Sequence, residues 1–579
     1  MKTILGRLDV TFYMVMLLSV NLMAPLVQGQ SFEQDSYPAP SYPNISPPKT
    51  VADIMPYARE FAANENGFLG HGFGIVNPGE KVILLTTTIH DEAELYITAI
   101  VQALEERGVE PILMRHYDIA GVTLDEARRL EVELKAMGRT TDSSQGWTEG
   151  CKFFDNNDFL QDTRPDLYEL CFPPGIESQL PENLRDAYTS LLNTGYDGTV
   201  IPKYINDYID KNPDVKGVFF GRGGPIWEYF HPHKERWLGL FRFDNMWTAM
   251  SPRSDFPADV WMMSEEITME PLSSSDKATI IDAEGTNVWW DMTEDQAQRW
   301  SRGVYLRGHL FMFPQEAYGS YGLNVLNYPA SVPEYIPVNP MVKLNGTIVS
   351  HTSHAGFFPA IEQVWKDGYL QEVKGGGIYG ELLRTLMKMP GIHDTTWPHY
   401  EEPGYFWHYE TALGTNPKGL RPDITEQRVA AERERDGILH WGLGAQVWHD
   451  PGVLDGGATS LEEFEEKFKL PAEIHGFHLH TYFNTMKVRI RGTDRWITLV
   501  NKGRSTSLDN PEVRALASRY GNPDEVLATE WVPEIPGINA PGNYESFAED
   551  PFTYNKEVME RIKRGEYGKY NPDVRSPGN

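Results

Sequence analysis

Cysteine is scarce in this chain: Cys151 and Cys171 are the two in 579 residues. Two thiols cannot build a four-thiolate zinc site or an iron–sulfur cage, so any metal held here needs nitrogen and oxygen donors. In an oxidising compartment the pair could close a modest loop, and two buried reduced thiols are the other reading. Positive charge is scarce as well. Lys and Arg total 52 against 82 Asp and Glu, a formal net charge of −30, which argues against a nucleic-acid groove or an anionic membrane surface as partner. Beyond the amino terminus no stretch reaches the roughly 20 apolar residues that a membrane-crossing helix needs. The sequence also shows no internal repeat.

The amino terminus is different. Lys2 and Arg7 precede an apolar run from Phe12 to Leu26, and Val27-Gln28-Gly29 has the form of a signal cleavage site. This pattern predicts a signal peptide over residues 1–29, removed after Gly29, and a soluble secreted or periplasmic body with no stable membrane insertion once the leader is gone. Residues 30–50, with Pro38, Pro40, Pro43, Pro47 and Pro48, read as an extended Pro/Ser-rich tether. Sequons stand at Asn44-Ile45-Ser46 and Asn345-Gly346-Thr347.

Lys81 to Thr86 is an unbroken apolar strand. Asp91 then opens a helix whose Ile97, Ile100, Val101 and Leu104 keep helical spacing until Gly108, and Val109 to Met114 supplies a second strand. Strand, helix and strand at this spacing predict a βαβ unit and a parallel sheet, to which Val215 to Phe220 adds another buried strand. Later stretches at Met341 to Ser350, Tyr369 to Val373, Phe477 to Ile490 and Trp496 to Val500 read as a mixed or antiparallel β region, the last two joined by a turn at Gly492-Thr493-Asp494. The expected fold class is α/β: an amino-terminal parallel-sheet α/β domain over 51–330, then a β-rich α+β metal-binding domain over 331–545, with a loose tail over 546–579.

Two motifs bear on chemistry. Gly375-Gly376-Gly377-Ile378-Tyr379-Gly380 fits the glycine pattern of a dinucleotide loop, but no second apolar strand follows its helix, so a tight turn packing helix on sheet is the preferred reading and no cofactor is assigned to it. His478 and His480 lie two apart in Gly476-Phe477-His478-Leu479-His480. In a strand, residues two apart share a face, so both imidazoles could grip one ion, and His440, heading His440-Trp441-Gly442-Leu443-Gly444, would be the third donor. Asp450 and Glu473 are expected as outer acceptors fixing the imidazole tautomers. Histidines satisfied within a core or on a surface are the alternative.

The run Asp367-Gly368-Tyr369-Leu370-Gln371-Glu372-Val373-Lys374-Gly375-Gly376-Gly377, then Glu381-Leu382-Leu383-Arg384, the H-W-G-L-G segment and H-L-H together resemble the 2,5-dihydroxypyridine 5,6-dioxygenase family, itself related to the aminopeptidase T type metallopeptidases. The resemblance spans about Val82 to Gly503 and is clearest after Asn345. It implies iron(II) at His440, His478 and His480, with His480 standing where the family's H-x-D motif has aspartate. Three neutral imidazoles leave the ion's full charge and favour an anionic substrate. It also implies a catalytic histidine at His231, in His231-Pro232-His233-Lys234-Glu235-Arg236, and acidic site residues at Glu294 and Glu316; a histidine pair in a surface turn and ordinary surface carboxylates are the alternatives.

The expected function is therefore a non-haem iron dioxygenase that cleaves a hydroxylated aromatic or heteroaromatic ring with O2. A metal-dependent hydrolase of the aminopeptidase T kind and a secreted binding protein without catalysis are the other readings. The expected partners are a small aromatic substrate and O2, with no nucleic acid, and the sequence leaves room for a homo-oligomer.

Overall fold

The computed structural model describes residues 37–42, 48–65, 69–86, 91–136, 148–151, 154, 158–172, 175–194, 200–221, 233, 236–240, 243, 256–301, 304–305, 310–313, 343–353, 356–394, 402–421, 432–444, 477–564 and 566. The first sheet contains β1 (Leu69–Gly70), β2 (Lys81–Thr86), β3 (Glu110–Arg115), β4 (Val215–Phe220) and β5 (Trp237–Leu240), in the spatial order β1-β5-β4-β2-β3. β2 runs parallel to β3 and β4, as the βαβ spacing predicts. Its residues show no polar alternation because both faces are covered. On one side Val82 and Leu84 pack with Ile97, Ile100 and Leu104 of the helix Asp91–Glu106. On the other, Ile83 and Leu85 meet Ile201, Ile205 and Ile209 of the helix Val200–Lys211. Each such aliphatic side chain, fully buried, contributes about 1.5–3 kcal/mol.

The chain then forms β6 (Ser275–Ile281), β7 (Asn287–Asp291), β8 (Val304–Tyr305), β9 (Leu310–Phe313), β10 (Asn345–Ser353), β11 (Gly356–Lys366), β12 (Tyr369–Gly375), β13 (His408–Leu413), β14 (Leu439–Leu443), β15 (Phe477–Thr481), β16 (Thr485–Ile490), β17 (Trp496–Asn501) and β18 (Arg504–Ser505). They sort into two antiparallel sheets, β12-β11-β10-β7-β6-β16-β17-β18 and β15-β14-β13-β9-β8. The result is a mixed α/β protein with a parallel amino-terminal sheet and a separate antiparallel region. The change between them does not fall at residue 330. β6 pairs with β16 and with β7, so the antiparallel region already draws on residues 275–291.

Three further expectations are corrected. The stretch from Phe477 to Ile490 is not one strand: β15 and β16 belong to different sheets, and the corner between them is held by polar side chains. Asn484 Nδ2 donates to the Thr481 carbonyl at 2.6 Å, and the Phe483 amide donates to Asp282 Oδ2 at 2.9 Å. Packing does not wait until the end of the tether: among its described residues Ser41 bridges Val532, and Tyr37 and Tyr42 are buried. Nor is the whole of 546–579 a tail. The helix Pro551–Lys563 buries Val558, Met559 and Ile562 in the same cluster as Tyr37 and Trp531. The amphipathic spacing of those residues was the available signal.

Cys151 and Cys171 form a disulfide with Cα atoms 5.3 Å apart. At the glycine-rich turn, Gly375, Gly376 and Gly377 all have positive φ, and a Cβ on Gly376 would lie 2.9 Å from Gly380 Cα. The turn lets the helix Gly377–Leu386 fold tightly back from β12, with Leu382, Leu383 and Leu386 in the main core. Among the described residues no helix is long and apolar enough to cross a membrane.

Candidate metal centre

The register of three strands builds the site. In the β14–β15 pairing His440 lies opposite His480 and Gly442 opposite His478. In the β13–β14 pairing Ala412 lies opposite His440 and Glu410 opposite Gly442. Residues directly opposite share a face, as do residues two apart in one strand. Glu410, His440, His478 and His480 are therefore all on one face. The two small residues of that face, Gly442 and Ala412, leave room over which the larger side chains converge. The other face of the same strands, with Leu413, Leu439, Trp441, Leu443, Phe477 and Leu479, packs into the main hydrophobic core. The H-x-H and H-W-G-L-G patterns are thus one alternating pattern, apolar inward and chemical outward, repeated on neighbouring strands.

Candidate donor atoms of Glu410, His440 and His478 all lie within 4.8 Å of one another, and all three residues are buried. The His440 and His478 rings stack at 4.6 Å between centroids and 11° between planes, and the His440 and His480 rings meet edge to face at 5.1 Å. Glu410 Oε1 accepts from His440 Nδ1 at 2.8 Å, while its Oε2 stands 3.7 Å from His478 Nε2. That second spacing is beyond an ordinary hydrogen bond. It is close to the roughly 3.4–3.6 Å that separates two donors each about 2.1 Å from a shared tetrahedral or trigonal ion.

His480 faces a different carboxylate. Its Nδ1 lies 3.0 Å from Glu432 Oε1, which also accepts from the Tyr482 hydroxyl at 2.7 Å, while Arg421 Nη1 donates to Glu432 Oε2 at 2.6 Å. Burial alone would raise the Glu432 pKa, but the Arg421 charge together with His480 and Tyr482 outweighs it and holds the carboxyl down at about 2. Burial lowers the pKa of His440 well below its usual value, with the neighbouring charges of His478, His480 and Arg433 adding to the effect. Burial lowers that of His480 as well, against the pull of Glu432. Neutral imidazoles are the form that binds a metal. Two histidines and one carboxylate, with a further imidazole beside them and no thiolate, fit a non-haem iron(II), zinc or cobalt ion.

Sequence reasoning missed Glu410 and Glu432. The signal for Glu410 was a lone acid in the short strand His408–Leu413, where a buried carboxylate needs a partner. For Glu432 no local pattern marks the residue. Glu294 begins the helix Glu294–Ser301 with an exposed side chain, 3.4 Å from Gln298 Nε2, and is not in the buried group. An acid in a first helical turn has an ordinary explanation in the helix dipole. His231, Glu316, Asp450 and Glu473 lie outside the described residues, as do the leader 1–29 and the Asn44 sequon. His233, beside the proposed catalytic histidine, pairs with Asp210 at 2.9 Å.

No protein-family model matches the chain, and no curated protein does. Among solved structures the chain is similar to a 2,5-dihydroxypyridine dioxygenase from Pseudomonas putida KT2440, at 10% identity and a TM-score of 0.33, over 79% of this chain and 98% of that one. It is also similar to wild-type AmpT from Thermus thermophilus, at 12% identity and a TM-score of 0.33, over 78% of this chain and 98% of that one.

Proposed function

We propose that the protein is a metal-dependent enzyme, and that its reaction is the O2-dependent cleavage of a hydroxylated aromatic or heteroaromatic ring at a single iron(II). The observation that carries this reading is the buried set Glu410, His440 and His478. Two histidines and a carboxylate on one face are the donor combination of non-haem iron oxygenases, because they hold the ion firmly and leave its other face open. Glu410 supplies the carboxylate that an H-x-H motif lacks. Bound there, iron(II) would supply Lewis acidity toward a ring hydroxyl and electron transfer toward dioxygen.

The protein's own groups have separate parts in this scheme. Glu410 Oε1 and His440 Nδ1 already face each other at 2.8 Å, so an ion bound between them would take the place of the proton they share. The apolar far face of the sheet keeps the donors rigid and excludes water from behind. His231 is proposed as the base that takes the substrate's hydroxyl proton, the role histidine most often fills in general acid–base catalysis. The Cys151–Cys171 disulfide supports an exported protein, since such bonds persist in oxidising compartments.

A hydrolase of the aminopeptidase T kind is the second reading, and the same Glu410 favours it, because a carboxylate beside a metal can take a proton from water. The two differ in stoichiometry. Protein purified anaerobically, loaded with iron(II) and given a panel of hydroxylated aromatic acids and pyridines, is expected to consume one O2 for each ring opened. Peptide hydrolysis with zinc or cobalt and no O2 uptake would reject the oxygenase.

A further inference from the structure

Glu432 is the centre of a fully buried hydrogen-bond hub that meets the Glu410 set at β15, through His480. Its side chain and those of Arg421 and His480 are at most 1% exposed. Arg421 and Tyr482 already supply this carboxylate with a full counter-charge and a hydroxyl donor, and Arg421 is itself braced 4.4 Å over the Phe357 ring. The carboxylate therefore does not need an imidazole for its own satisfaction. The imidazole, in contrast, gains a fixed orientation. A carboxylate only accepts, so the single proton of a neutral ring facing it must sit on Nδ1, which leaves the Nε2 lone pair as the ring's donor.

His480 is directly opposite His440 in the sheet, with the two rings 5.1 Å apart. We propose that Glu432 is a positioning residue of the metal centre, acting through His480, whose ring lies beside rather than within the group of Glu410, His440 and His478, to present its Nε2 as a further donor once an ion is bound. This rests on the metal-site reading above and adds to it a residue that never touches the ion.

The test is a double-mutant comparison of metal affinity on the full chain, read by competition with a chelator and by the visible spectrum of the cobalt(II)-loaded protein. Glu432→Gln keeps the size of the side chain and removes its charge; it is expected to weaken cobalt(II) binding by about 10–100-fold and to change the spectrum. His480→Ala should do at least as much. The combination Glu432→Gln with His480→Ala should bind no more than about threefold weaker than His480→Ala alone, because the acid then has nothing left to orient. Tyr482→Phe, which leaves the acid and the imidazole in place, should keep affinity and spectrum. If Glu432→Gln does not fold, Glu432→Asp, which keeps the charge but draws it back by one methylene, is compared in the same way. Parental affinity and spectrum in the Glu432 variant, or losses that multiply in the combination, would overturn the proposal. A parental protein that binds cobalt(II) but never consumes O2 removes the oxygenase reading and leaves the role of Glu432 intact, whereas a parental protein that binds no metal removes both.

Discussion

The central strands of the parallel sheet and the histidine-bearing strands of the site sheet are both buried and use that burial for opposite ends. In β2 and β4 nearly every position is buried and apolar, and each face is sealed by a helix. β14 and β15 are buried along their whole length too, yet they carry three imidazoles. Stripping water from a charged or polar group costs several kcal/mol unless a partner replaces it. A chain that carries such groups on the same strand face as a glycine and an alanine, and supplies Glu410 and Glu432 to meet them, is arranged for chemistry. The lesson is that burial alone does not separate scaffold from site; the polarity of what is buried does.

The comparison breaks most visibly at the ligands. Single alanine substitutions at Glu410, His440 and His478 should reduce bound metal to background while the parallel sheet keeps its fold, checked by metal analysis beside circular dichroism. The reverse experiment is Leu84→Ala in β2, where a fully buried side chain becomes a cavity. It should cost about 2–5 kcal/mol of unfolding free energy. Metal affinity measured well below the denaturation midpoint should not change.

The disulfide sharpens the same contrast from the edge of the main core. It joins residues 20 apart in sequence, and a loop of that length is worth about 3 kcal/mol through the unfolded chain. Replacing both cysteines by serine should lower denaturant stability by that order and leave the cobalt(II) spectrum as it was.

A smaller effect concerns pH. His408 is fully buried, and burial lowers its pKa to about 4. The unfolded chain then binds a proton between its ordinary pKa of about 6.5 and 4 that the folded chain refuses, so stability from this residue is complete above pH 6.5 and is lost as pH falls toward 4. His408→Gln, which can still reach Thr411, should flatten that part of the pH–stability curve. An unchanged slope would remove His408 from the account.

Much of this was legible in local patterns. The βαβ unit follows from the apolar run Lys81 to Thr86, the helical spacing after Asp91 and the stop at Gly108, because both faces of a parallel sheet select the same residues. The shared face of His478 and His480 follows from strand alternation, and their closeness to His440 from the register that the β14–β15 pairing realises. What could not be read depends on contacts distant in sequence. Glu410 is 30 residues from His440 and Glu432 is 48 from His480, and no periodicity links such pairs. The break at Tyr482 to Asn484 was hidden because Asn484 and Asp282 take over backbone hydrogen bonds that a continuous strand would have made. Likewise, Pro-rich composition announced an extended segment but not that Tyr37 and Tyr42 would be buried against the carboxyl-terminal helices.

The central claim is that one face of the site sheet holds a single transition-metal ion between Glu410, His440 and His478. Equilibrium titration of the anaerobic, chelator-stripped protein with iron(II) or cobalt(II) tests it most directly. The account predicts saturation at one ion per chain, with that binding lost in the His440→Ala and His478→Ala variants. A stoichiometry of zero, or an ion retained unchanged in both variants, would contradict it.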